Sequence, residues 1–145
     1  MQFIMFFCAC FLATANLAAE TFMMNPYGCS GLQSLNGKWN AIIDIFGKGE
    51  AMKFYLNHKP AKDTEIVEYA FGGGLTLDVP GDFNSQSAEL KYYEGNVWYQ
   101  RTFTAPKNKN RRQFLYFAGV NYEATVWLNG VFLGRHEGGF TPFEF

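Results

Sequence analysis

One dipeptide constrains this chain more than any other feature. Asn129-Gly130 sits between Ala124-Thr125-Val126-Trp127-Leu128 and Val131-Phe132-Leu133-Gly134-Arg135. A two-residue turn of type I′ needs φ > 0 at both central positions, and Asn-Gly tolerates that at least cost. Two β-prone runs around such a turn predict an antiparallel hairpin. A hairpin alone is marginal in water, so the rest of the chain has to supply further strands and a packed face.

The remaining pattern does so. Trp39, Ala41, Ile43 and Ile45 alternate with Asn40, Ile42, Asp44 and Phe46 in a period-two run that Gly47 ends. Leu75 to Val79 reads as a short strand stopped by the turn pair Pro80-Gly81. Asn96 to Thr104 reads as another, with Val97, Tyr99, Arg101 and Phe103 on one face and Trp98, Gln100 and Thr102 on the other. Gln113 to Val120, apolar on both faces, is expected to be a central strand. Between Gly47 and Gly74 the pattern lapses into a long surface excursion, with Gly72-Gly73-Gly74 as a flexible loop. No stretch keeps a helical period. The expectation is an all-β chain, a sandwich rather than a barrel because the strands are short and the loops unequal.

The first residues stand apart. Phe3 to Leu12 is nearly all apolar and runs into the small and polar segment Ala13 to Ala19. This reads as a secretory signal peptide, cut after Ala15 or Ala19, although Met1-Gln2 contributes no Lys or Arg. The apolar run falls short of the roughly 20 residues that a membrane span requires. The domain plan is then a signal over 1–19, a linker over 20–31 and a sandwich over 32–145, in a secreted or periplasmic protein. Of three cysteines, Cys8 and Cys10 fall in the leader, which leaves Cys29 with no intrachain partner. Phe7-Cys8-Ala9-Cys10 fits a lipid attachment site poorly.

A net charge of −1 with both signs scattered excludes the basic footprint of a nucleic-acid binder. Sixteen Phe, eight Tyr and three Trp exceed what a surface accommodates, so most belong in a core between sheets. Glycosidase chemistry needs two carboxyl groups about 5 Å apart for retention or ~6.5–9.5 Å for inversion. Asp82, Glu94, Glu123 and Glu137 are the best placed of thirteen acids, but solvated turn positions account for them more simply. His58, His136 and Cys29 have no ligand spacing for zinc, and nothing calls for a cofactor.

Two segments rise above composition. In the first, Trp98, Tyr99 and Arg101 are either a sugar-facing ledge or, the reading favoured here for Arg101, a buried cation paired with a carboxylate. In the second, His136, Glu137, Gly138 and Gly139 form a tight loop suited to an interdomain contact or a ligand.

These segments carry a resemblance. VPGDFN (79–84), YYEGNVWYQRTF (92–103), VWLNG (126–130) and HEGGFTPFEF (136–145) occur in an order and spacing similar to the N-terminal sugar-binding domain of glycoside hydrolase family 2. SLNGKWN (34–40) looks like that domain's opening strand. The likeness covers about Leu32 to Phe145 and is nearest the β-glucuronidases, with β-galactosidases sharing the outline. It implies a jelly-roll-like sandwich of the galactose-binding-domain kind, truncated before its last strands. Immunoglobulin-like and (β/α)8 domains would follow, and the two glutamates of a retaining mechanism would lie in the barrel. No catalytic residue transfers to this sequence. The partner implied is a carbohydrate, a terminal β-glycoside, met through a larger parent that could be a homo-oligomer. A free-standing carbohydrate-binding module and a structural or adhesion sandwich stay open as alternatives.

Overall fold

A computed structural model describes residues 2–7, 32–58, 69–72, 74–105 and 112–145. Its strands are β1 (Gln2–Phe7), β2 (Gly37–Asp44), β3 (Thr76–Val79), β4 (Asn96–Phe103), β5 (Tyr116–Phe117), β6 (Glu123–Leu128), β7 (Val131–Glu137) and β8 (Phe143–Glu144). The one α-helix described, α1, is the four-residue Phe83–Gln86, capped by the Asp82 side chain accepting from the Asn84 N–H. Six strands form one sheet in the order β3-β2-β4-β1-β6-β7, and β5 pairs with β8 in a second, small one.

The hairpin forms as its turn demands. Asn129 and Gly130 take φ of 52° and 79°, and β6 pairs antiparallel with β7 around them. The register slips between Val126 and Trp127, a bulge of the kind that increases local twist.

Strand parity sorts β2, β4 and β6 into two faces. Trp39, Ala41, Leu77, Val97, Tyr99, Ala124 and Val126 form the inner core, joined by Leu90 and Val120. Leu115, Phe117, Phe143 and Phe145 pack on it from the β5-β8 side and close the sandwich. The other face is also covered, which explains why both parities of β4 from Val97 to Gln100 are buried. There Trp98 and Trp127 stack at 5.2 Å, Tyr55 lies flat on Trp127 at 5.3 Å, and Phe54 meets the edge of Trp98 at 5.5 Å. Tyr69 and Phe71 join this second cluster.

Two expectations change here. The excursion after Gly47 is not a solvated surface loop in its described parts. Its aromatic residues roof the outer face of the sheet, and only residues 59–68 and Gly73 fall outside the described chain. The segment 113–120 is not a central strand either. Among the described residues Tyr116 and Phe117 pair with β8, Leu115 exchanges backbone hydrogen bonds with Phe145, and Tyr116 is exposed. Leu115 and Phe117 face the core while Phe114 and Tyr116 face out, so an apolar run that looked two-sided is half exposed.

The backbone of Gln2–Phe7, within the stretch read as a leader, lies between β4 and β6 and runs parallel to both. Both expected cleavage positions, after Ala15 and Ala19, fall outside the described residues.

Asp44 fastens the roof to the sheet. Its carboxylate is 5% exposed and accepts from the Lys48 N–H (2.9 Å), the Gly49 N–H (2.7 Å) and the Trp98 indole N–H (3.0 Å). Asp44→Ala leaves three inward donors without an acceptor and is expected to cost ~3–5 kcal/mol. Lys48→Ala keeps its backbone donor and should stay within about 0.5 kcal/mol. Urea unfolding followed by tryptophan emission compares the two.

Tyr99 adds a pH dependence. Burial, and secondarily the Asp82 carboxylate, pushes its phenol up to about 12 from the ordinary value of 10.0. Above pH ~10 the unfolded chain sheds this proton while the folded chain keeps it, so stability falls as pH rises towards ~12, by roughly 2–3 kcal/mol. Tyr99→Phe should flatten that loss, visible as a urea midpoint that no longer drops in this alkaline window.

Candidate functional site

The register separates the two segments singled out in the sequence. Met5 is level with both Arg101 and Leu128, and Ala124 is opposite His136. Arg101 and His136 are therefore offset by roughly 13 Å along the strands, at ~3.3 Å per residue, and by three strand spacings of ~4.8 Å across the sheet. They do not form one site.

Trp98 and Tyr99 are corrected as sugar-contact candidates. Their relative exposures are 0% and 1%, so neither presents a ring face to a ligand. Trp98 is the centre of the outer aromatic cluster and Tyr99 belongs to the inner core. The signal that raised them, aromatic residues beside a cation, is also what a twice-covered central strand looks like. The buried carboxylate pair expected for Arg101 is corrected too. Arg101 is half-buried, and its Nη1 donates to the Lys38 carbonyl at 3.1 Å.

His136, Glu137, Gly138 and Gly139 end β7 and begin the loop to β8. The His136 ring stacks on Phe143 at 4.2 Å, and Phe143 stacks on Phe117 at 4.7 Å. His136 Nε2 lies 3.1 Å from the Thr141 hydroxyl, with the donor set by the tautomer. Gly138 N–H donates to the Tyr122 carbonyl at 2.8 Å, which ties this loop to the one before β6. In the same loops Phe140 is 99% exposed and Tyr122 is exposed too.

Three of the four acids singled out in the sequence make contacts within the domain. Glu123 and Glu137 face each other across β6 and β7, close enough in spacing to invite a catalytic reading. Arg135 engages both, however, bonding Glu123 and lying 3.6 Å from Glu137. The three side chains make a solvent-facing ion cluster across β6 and the edge strand β7. Asp82 caps α1, and Glu94 is exposed in a turn.

Sequence reasoning missed a polar groove on the outer face, beyond the aromatic roof. It is an open depression of about 470 Å³, lined among the described residues by Lys38, Asn40, Asn57, Phe71, Gln100, Arg101 and Thr102. Asn40 Nδ2 donates to Gln100 Oε1 at 2.8 Å, and Gln100 Nε2 donates to Thr102 Oγ1 at 3.1 Å. A usable signal existed, since Asn40 and Gln100 are amides directly following an aromatic residue within β2 and β4.

Residues 32–145 match the family model for "Glycosyl hydrolases family 2, sugar binding domain". The β-glucuronidase of Paenibacillus borealis is 33% identical over 116 residues, covering 78% of this chain and 17% of its own length. That of Rattus norvegicus is 40% identical over 122 residues, covering 78% and 17%. The solved β-glucuronidase of Lactobacillus rhamnosus superposes with a TM-score of 0.63 at 31% identity, covering 77% of this chain and 17% of that one. This chain thus spans about a sixth of the length of these relatives.

The loop at Gly139 gives a direct check. A Cβ there would stand 2.6 Å from Asn121 Oδ1 and 3.2 Å from Asn121 Cβ. Gly139→Ala should therefore push the two loops apart, cost ~1–3 kcal/mol and shift the amide resonances of Tyr122 and Gly138. Phe140→Ser, at a fully exposed ring, should change stability by less than about 0.5 kcal/mol.

Proposed function

This chain belongs to glycoside hydrolase family 2, and from that premise we propose that it works as the N-terminal sugar-binding and scaffold domain of a secreted, β-glucuronidase-like hydrolase. The observation that carries this is the match over residues 32–145 together with relatives that bear the β-glucuronidase name. The chemistry assigned to the whole enzyme is retaining hydrolysis of a terminal O-glycosidic bond, with acid/base and nucleophile supplied by a barrel domain. A carbohydrate is the partner on this reading, and the parent enzyme's other domains are the second.

The described acids support a scaffold rather than a catalyst. A retaining enzyme needs one carboxyl group to donate a proton and another to attack, with the sugar ring between them. Asp44 is committed to three donors of its own domain, Asp78 meets Lys38 at 3.2 Å, and Glu123 and Glu137 share Arg135. What these contacts do is hold edges and loops in place.

Export is part of the proposal and rests on the apolar leader, Phe3 to Leu12 followed by small residues. No helix among the described residues is long and apolar enough to cross a membrane.

Activity separates the parts. The 145-residue chain is expected to leave p-nitrophenyl β-D-glucuronide uncleaved, whereas a longer protein carrying this domain ahead of a barrel is expected to cleave it. Turnover by the short chain, abolished by Glu123→Gln or Glu137→Gln, would reverse the scaffold assignment.

A further inference from the structure

We propose that the gap between β4 and β6 is a strand-acceptor site, which takes one extended, uncharged segment of about six residues and can take it from another molecule. The proposal goes beyond the reading above and does not depend on which glycoside a parent enzyme cleaves.

Strand direction and spacing create the gap together. β4 and β6 each run parallel to β1, so they run parallel to one another with one strand width between their facing edges. Each edge carries a row of backbone N–H and C=O groups. The strands are buried there, from Val97 to Gln100 and from Ala124 to Trp127. Buried backbone groups need partners, so these two edges require a strand between them. In this chain Gln2–Phe7 supplies it, with Phe3 level with Tyr99 and Val126, and Ile4 level with Gln100 and Trp127.

The gap has a floor and a roof. Val97, Tyr99, Ala124 and Val126 bring the inner core up to it from one face. From the other, Trp98 and Trp127 reach towards each other and stack at 5.2 Å, although their strands stand two spacings of ~4.8 Å apart. These walls state the chemistry of the partner. The facing segments 97–100 and 124–127 hold no charged side chain, and Asp44, bonded to the Trp98 indole, already has three donors. A charge carried into the gap would be buried without a counter-ion. Both edges pair, so a proline would remove a donor that a central strand cannot spare. What fits is an extended, proline-free segment with uncharged side chains.

Pairing, rather than connectivity, holds the occupant. Gln2–Phe7 lies at the chain terminus and residues 8–36 separate it from β2, so no tight turn fixes it in the gap. Its ladder is parallel on both edges, and parallel pairing is slightly the less stable kind. A segment from another molecule that runs antiparallel to β4 and β6 gains the better ladder on both sides. Main-chain bonds then give affinity, and the floor and roof select among side chains. The tether raises the local concentration of Gln2–Phe7, and this is the advantage that an incoming segment has to overcome. Where the leader is removed, as proposed above, that advantage is lost.

The test uses the full 145-residue chain carrying Ile4→Pro, which breaks the pairing at the middle of β1 and leaves residues 32–145 unchanged. The probe is a fluorescein-labelled peptide with the sequence of residues 2–7 and a lysine tail for solubility. Fluorescence anisotropy is expected to show saturable one-to-one binding, roughly micromolar, with the unaltered chain about tenfold weaker because its own segment competes. The same peptide with Ile4→Pro or Phe3→Glu should also bind about tenfold more weakly, or ~1.4 kcal/mol. On the ¹⁵N-labelled variant the amides of Tyr99, Gln100, Val126 and Trp127 should shift. If Ile4→Pro is unfolded alone, the peptide should restore folded tryptophan emission over the same concentration range. The acceptor site is overturned if a folded variant does not bind or an unfolded one is not restored. Equal affinity for the proline peptide or for the unaltered chain, or shifts confined to β7 and the β5–β8 sheet, would overturn it as well. Hydrolysis by a longer protein is read separately, so neither result decides the other.

Discussion

A single buried carboxylate organises the outer half of this domain. Asp44 ends β2, and its two oxygens take the first backbone N–H groups of the following turn and the indole N–H of Trp98 on β4. Burying a carboxylate is costly unless donors surround it, so the turn and the tryptophan must be placed together or not at all. That coupling brings the excursion back over the sheet, sets Phe54 against Trp98, and lets Tyr55 close on Trp127. The second hydrophobic cluster is a consequence of this polar anchor. Beyond that cluster the outer row of side chains turns polar at Asn40, Gln100 and Thr102.

The inner half of the fold was legible in the sequence because local chemistry and tertiary structure agree there. Asn129-Gly130 fixed its own turn, and β2, β3 and β4 follow the alternation that marks them. The outer half was not legible. A segment with Lys53 and Asn57 in left-handed conformations has no period to read, and its aromatic residues find their place only through Asp44 and Trp98, distant in sequence. The misreading of Trp98 and Tyr99 has the same origin. An aromatic pair on a strand looks like a ledge until a second layer covers one face. Residues 113–120 failed for the opposite reason, since an apolar run does not reveal that the partner strand described for it is two residues long.

Several of the described carboxylates are committed within the domain: Asp82 caps α1, Glu123 and Glu137 share Arg135, and Asp44 anchors its turn, while Phe140 and Tyr122 are exposed. The amides of Asn40 and Gln100 and the Thr102 hydroxyl continue the outer row as a hydrogen-bonded polar array beyond the aromatic cluster.

The position of β1 has a kinetic meaning. Every other neighbouring pair in the large sheet is antiparallel, whereas β1 runs parallel to both β4 and β6 and is the hydrogen-bonded link between β3-β2-β4 and β6-β7. A parallel strand cannot be joined to its neighbour by a tight hairpin turn. The two antiparallel halves of the sheet can therefore form from pairings of their own, and they are joined only when Gln2–Phe7 docks between them from far away in the sequence.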